Sequence, residues 1–271
     1  MERLGAGTLN ALTPEKIGRL KAECNLFSNG GQADYHGNTD GYAAVYMPVN
    51  FHKVWLPLWK ILSENKLPLN ARVIELGPGP GTASWSLIEF WRWLARDNPD
   101  RRFELQYTAV ERETDFRPLF LSILERISKG LPDNMSLSME LISGTDAFTW
   151  ISDRKQKDAD IILESNLLNL AESTGDAEAG AFLTGLGQNL KTNGYAIMIE
   201  PGRQENVDFL NSIALMAEYG PVCETIAGAS KAAIYLAGNQ LVKQTMETGL
   251  RSRKMEHWFS YLILQRKEVA S

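Results

Sequence analysis

The run ARVIEL (71–76) passes without a break into Gly77-Pro78-Gly79-Pro80-Gly81-Thr82, and a helical pattern follows at once. A buried strand that turns so tightly into a helix belongs in an open α/β sheet, not in an all-α or all-β architecture. Glycine permits the bend, lets a ligand approach the backbone and leaves helix N–H groups aimed at an anionic group. The same alternation recurs downstream. Apolar or β-branched runs recur at 103–110, 136–142, 159–164, 194–200, 231–237 and 257–265, with helical spacing over 82–97, 113–129, 176–191 and 203–219. The expected fold is α/β: a doubly wound, Rossmann-like sheet of seven mostly parallel strands.

Upstream of this alternation, Thr13-Pro14-Glu15 reads as a helix start. Tyr35, His36, Tyr42, Tyr46, Phe51, His52, Trp55 and Trp59 then crowd together, with Pro48 and Pro57 as punctuation. Residues 1–65 are therefore expected to form an N-terminal helical, aromatic cap, and residues 66–271 the main domain. Val54, Trp55, Leu58, Trp59 and Leu62 have helical spacing and read as a packed helix face, whereas Tyr35, Tyr42 and Tyr46 are assigned to a pocket.

Charge and cysteine usage narrow the function. With 28 Lys and Arg against 33 Asp and Glu, the net charge of −5 disfavours gripping a long polyanion. Cys24 and Cys223 are the only cysteines, too few for a disulfide framework or a cysteine-based metal site. Nowhere do eighteen apolar residues run together, so a cytoplasmic chain with no membrane partner is expected.

The spacing of the glycines decides among nucleotide-like ligands. A dinucleotide fingerprint needs G-x-G-x-x-G, but here the third glycine comes one residue early and Thr82 takes its place. A P-loop is absent as well. The segment Glu75-Leu76-Gly77-Pro78-Gly79-Pro80-Gly81 instead resembles the first motif of class I S-adenosylmethionine-dependent methyltransferases. That resemblance implies a methyltransferase-type Rossmann fold, S-adenosyl-L-methionine as cofactor, and its methionine part lying across Glu75, Gly77, Pro78, Gly79 and Gly81. Val110-Glu111-Arg112 closes the second strand, where an α/β site places an acid against a ribose hydroxyl. Glu111 could equally be a solvated strand-end acid. Asp146 and Ala147 follow the third strand, at the position that holds adenine in this family, though Asp146 also reads as a helix N-cap.

Leu163-Glu164-Ser165-Asn166-Leu167-Leu168, Ile199-Glu200-Pro201-Gly202 and Phe259-Ser260-Tyr261-Leu262 narrow the likeness. With Tyr42-Ala43-Ala44-Val45-Tyr46-Met47-Pro48 they resemble the methyltransferase-like family associated with the mitochondrial small ribosomal subunit, patchily over roughly residues 42–266. The departure is chemical. Where that family carries a cysteine cluster, Tyr219-Gly220-Pro221-Val222-Cys223-Glu224 offers a single thiol, so no metal is inherited.

Methyl transfer is an in-line displacement that needs alignment, and a base only if the acceptor must lose a proton. His36 and His52 in the cap and Glu164 after the fourth strand are the candidate catalytic groups, each with a structural alternative. Ser165 and Asn166 are candidates for the cofactor, and Tyr35, Tyr42, Tyr46 and Asn169 for the acceptor. A small-molecule acceptor is the leading expectation. Ribosomal RNA, served by Arg92, Arg96, Arg101, Arg102 and the Arg251-Ser252-Arg253-Lys254 run, is the alternative, as is a non-catalytic binding protein that keeps the fold.

Overall fold

The computed structural model describes residues 39–167, 176–219, 223–235 and 256–267. The helix expected at Thr13, together with Tyr35, His36, Asn169 and the 251–254 basic run, lies outside them. In chain order the elements are α1 (Thr39–Asn50), a 3-10 turn (Phe51–Val54), α2 (Trp55–Ser63), β1 (Asn70–Leu76), α3 (Thr82–Asp97), β2 (Phe103–Glu111) and a second 3-10 turn (Thr114–Phe116). There follow α4 (Arg117–Ser128), β3 (Met135–Ser143), α5 (Ala147–Asp153), β4 (Ala159–Ser165), α6 (Asp176–Asn189), β5 (Leu190–Pro201), α7 (Gln204–Tyr219), β6 (Cys223–Tyr235) and β7 (Glu256–Arg266).

The strands form one seven-stranded sheet in the order β3-β2-β1-β4-β5-β7-β6. β1 pairs in parallel with β2 and β4, β2 with β3 and β4 with β5. Only β7 runs against its neighbours, β5 and β6. The fold is thus the doubly wound, mostly parallel, Rossmann-like sheet that the sequence predicts.

Alternation along the strands supplies two cores. Val73, Leu105, Tyr107, Leu163, Ile197 and Ile263 face one side, under α1, α2, α3 and α4. Ile74, Leu76, Val110, Ile162, Met198 and Leu264 face the other, under α5, α6 and α7. Each fully buried aliphatic or aromatic side chain contributes about 1.5–3 kcal/mol. Val54, Leu58 and Ile61 of the N-terminal segment belong to the first core, beside Leu87, Phe90 and Trp91 of α3. The tryptophan stripe packs as its spacing implies: the Trp55 indole donates to the Ser86 carbonyl at 3.1 Å. Trp59 is half turned to solvent, at 42% exposure, over the rings of Phe90 and Trp93.

Two strand starts differ from the expected ones. β5 begins at Leu190, ahead of the apolar run, and β6 at Cys223, well before Lys231. CETIAGAS carries small and polar residues because β6 is an edge strand, paired on one side only, with register shifts between Thr225 and Ser230. Such a strand needs no continuous apolar run. Among the described residues no helix is long and apolar enough to cross a membrane.

Candidate functional site

β1 is flanked by β2 on one side and β4 on the other, so the chain order reverses there and a crevice opens at the carboxyl ends of the strands. A cleft of about 280 Å³ occupies that position. Its floor is the turn between β1 and α3. Gly77 donates its N–H to the Val110 carbonyl at 2.9 Å and Gly81 to the Pro78 carbonyl at 2.9 Å, which closes the bend.

Gly79 and Gly81 explain why the turn needs glycine. Both have left-handed backbones, with φ of 54° and 88°, strained for any residue with a Cβ. A Cβ on Gly79 would meet no atom within 4 Å, so its open face is room for a ligand. A Cβ on Gly81 would come within 2.9 Å of the Phe120 ring. Gly81, expected at the cofactor, therefore does not border the cleft: it lets α4 pack close behind the turn.

Two buried carboxylates stand at the ends of adjacent strands. Glu111, 7% exposed at the end of β2, accepts from the Gly79 N–H at 2.7 Å and from the Glu113 N–H at 2.8 Å. Burial pushes its pKa above the ordinary carboxylate value, against the pull of those hydrogen bonds. Glu75, 1% exposed near the end of β1, uses Oε2 for the Ser84 hydroxyl and for the Tyr107 hydroxyl, the latter at 2.7 Å. Its Oε1 is buried and has no hydrogen-bond partner among the described residues. Burial pushes this carboxyl up to about 7, with the negative charge of Glu111 adding to the shift. Glu75 borders the cleft, so this buried carboxyl stands within its wall.

The remaining walls come from the segments after β2, β3 and β4 and from α1. Asp146 and Ala147 border the cleft after β3 with Phe148. Asp146 also caps α5, accepting from the Thr149 N–H at 2.9 Å, as its capping reading expects. Arg112 borders the cleft while pairing with Glu113 at 3.1 Å, and Phe116 of the second 3-10 turn lies beside them. Ser165, Asn166 and Leu167 continue from β4, and Tyr42 and Asn50 come from α1.

Of the expected site residues, Glu75, Gly77, Pro78, Gly79, Glu111, Arg112, Asp146, Ala147, Ser165, Asn166 and Tyr42 are brought together. Three others besides Gly81 are corrected. The His52 ring sits edge-on to Phe51 and Trp55, at 5.0 Å and 5.7 Å, away from the cleft. Burial lowers its pKa and so keeps the ring neutral, and it is the distance from the cleft that takes it out of the site. Glu164 is turned into the protein, where Oε1 accepts from the Leu167 N–H at 2.5 Å and holds the loop after β4. Tyr46 packs against the Tyr42 ring at 4.7 Å without bordering the cleft. Asn50, Pro80, Thr82, Ala83, Glu113, Phe116, Phe148 and Leu167 were not anticipated. Thr82 and Ala83 could have been, since the first turn of a helix behind such a bend faces its ligand. Asn50 and Phe116 lie in or beside short 3-10 turns that leave no periodic trace.

No family model matches the sequence, and no curated protein does. Solved structures align with much of the chain at low scores. A SAM-dependent methyltransferase from Methanosarcina mazei is 11% identical, with a TM-score of 0.43 over 77% of this chain and 98% of its own. A SAM-dependent O-methyltransferase from Thermotoga maritima is 14% identical, with a TM-score of 0.42 over 79% and 67%. An arsenic(III) S-adenosylmethionine methyltransferase from Chlamydomonas reinhardtii is 13% identical, with a TM-score of 0.43 over 76% and 67%. Likeness at this level carries no argument, so the fold rests on the sheet described above and the case for function on the cleft itself.

Proposed function

We propose that this chain binds S-adenosyl-L-methionine in the cleft and transfers its methyl group to a small-molecule acceptor. The observation that carries the reading is the pair of buried carboxylates, Glu75 and Glu111, flanking an open glycine turn at the point where the strand order reverses. The residues fit the donor. The open face of Gly79 leaves room for an aminoacyl tail, and the unpartnered Oε1 of Glu75 offers an acceptor to a cationic ammonium. Each Glu111 oxygen takes one backbone N–H and keeps a lone pair for a ribose hydroxyl. Phe116, Ala147 and Phe148 supply apolar surface for a purine, with the Asp146 carboxylate at its edge.

When bound, the donor supplies an electrophilic methyl on a positively charged sulfonium. The protein's share is alignment and electrostatics. A cation brought beside Glu75 and Glu111 favours their ionised forms, and the charges then attract it more strongly in a half-enclosed cleft than across open water. Among the described residues bordering the cleft the titratable groups are mainly carboxylates, Glu75, Glu111, Glu113 and Asp146, so the wall contributes proximity, and a carboxylate base where the acceptor must lose a proton.

Two features support a small acceptor over RNA. The net charge is −5, and Arg96, Arg101 and Arg102 sit at the far end of α3 and the start of β2, on the amino edge of the sheet. α3 alone separates Arg96 from the glycine turn by about 21 Å at 1.5 Å per residue. The deciding experiment supplies donor labelled in the methyl group with a small-metabolite extract and, separately, with total RNA. Label in a dialysable product supports the reading, and label in RNA alone overturns its acceptor half. Donor binding with no transfer to either overturns the enzyme and leaves a binding protein.

A further inference from the structure

Lys53 is the least expected residue near this site. It lies on the first 3-10 turn at 1% exposure, among the largest fully buried side chains, and burying an ammonium is costly unless it is put to use. Its Nζ donates to Asn166 Oδ1 at 3.3 Å, linking segments 113 positions apart. An ammonium has only donors, so this contact fixes which way the Asn166 carboxamide faces. Nδ2 then donates to Ser165 Oγ at 3.1 Å. The main chain is pinned too, because Asn166 has φ of 61° and its N–H donates to the Ile199 carbonyl at 2.8 Å.

Polarity therefore runs one way along Lys53, Asn166 and Ser165. Asn166 and Ser165 border the cleft and Lys53 does not. The Ser165 oxygen, having accepted, still has its hydroxyl hydrogen to give, and Nδ2 has a second N–H. The next backbone donor, the Leu167 N–H, is already held by Glu164. We infer that Lys53 is a positioning residue that makes the β4 end of the cleft a hydrogen-bond donor site for a ligand carboxylate. This rests on the methyl-donor reading above. The carboxylate has two sources, the amino-acid end of the donor or the acceptor, and both present the same chemistry to Ser165 and Asn166.

Asn166→Asp is the most selective test, since it preserves shape and a partner for Lys53 while replacing the amide donor by an acceptor. Lys53→Met removes the orienting cation, and Ser165→Ala serves if that variant does not fold. The probes are S-adenosylhomocysteine, 5′-methylthioadenosine, which lacks the amino-acid end, and benzoate added to protein already loaded with S-adenosylhomocysteine. Loss of a charge-assisted hydrogen bond weakens S-adenosylhomocysteine about 10- to 100-fold in these variants and leaves methylthioadenosine unchanged if the donor's carboxylate is bound. Unchanged S-adenosylhomocysteine with loss of benzoate binding assigns the site to the acceptor and also supports the inference. Equal weakening of both nucleosides, or no change in any probe, overturns it. Wild-type protein that binds neither nucleoside overturns the donor reading and this inference together.

Discussion

Glu75→Gln isolates what the cleft costs the fold. The Glu75 carboxyl is pushed from its ordinary value of 4.5 to about 7, chiefly by burial. The folded state therefore holds this proton over a pH range in which the unfolded chain has released it. The stabilisation is fully present below pH 4.5 and is lost as pH rises through about 7. At 1.36 kcal/mol per unit the full difference is about 3 kcal/mol, most of which falls between pH 5 and 8. Glutamine keeps the Ser84 and Tyr107 contacts possible and does not ionise. Urea unfolding of both proteins at pH 5, 6, 7 and 8 should show the wild type losing about 2–3 kcal/mol relative to the variant across that range. Parallel pH profiles would refute the reasoning, because they would mean that Glu75 is no harder to ionise inside than outside. A gain in stability joined to a loss of donor affinity is the pattern of a residue kept for function at the expense of the fold.

Gly79→Val should abolish donor binding in calorimetry while retaining the far-UV spectrum, because the side chain fills open space and its strained φ of 54° costs only about 1–3 kcal/mol. Gly81→Ala should lower stability by about 1–3 kcal/mol in denaturant titration through the Phe120 contact, with donor affinity in the surviving fold much less affected. Asp146→Ala should lose about 1 kcal/mol of stability with the α5 cap. A concurrent fall in donor affinity would show that the carboxylate serves both roles, and unchanged affinity would leave it a cap alone.

The sheet was legible because its central strands β1, β4 and β5 are largely buried on both faces and read as short apolar runs between helical segments. α3 is delimited by Gly81 in front and by its own apolar spacing, and it is found where that pattern puts it. β6 escaped because an edge strand with register shifts carries no such run. The glycine turn and the strand-end acid were legible for a covalent reason: Gly77, Gly79 and Glu111 sit at fixed offsets from strands that the sequence reveals. Side-chain direction was not. Glu164 precedes Ser165 and Asn166 by one and two positions, yet it turns inward while they border the cleft. His52 looked catalytic by residue type, but tertiary packing between Phe51 and Trp55 removes it. Lys53 carries no signal in sequence at all, since a lysine is read as exposed by default and its partner Asn166 lies on β4's far loop.

The central claim is that Glu111 grips the sugar of an adenosyl donor bound over the glycine turn. Calorimetric titration of S-adenosylhomocysteine into wild-type protein and Glu111→Ala tests it most directly. The account predicts saturable one-to-one binding to the wild type and a loss of about 10- to 100-fold in the variant, with secondary structure retained. Equal affinity in the two proteins, or no binding to the wild type, would contradict it.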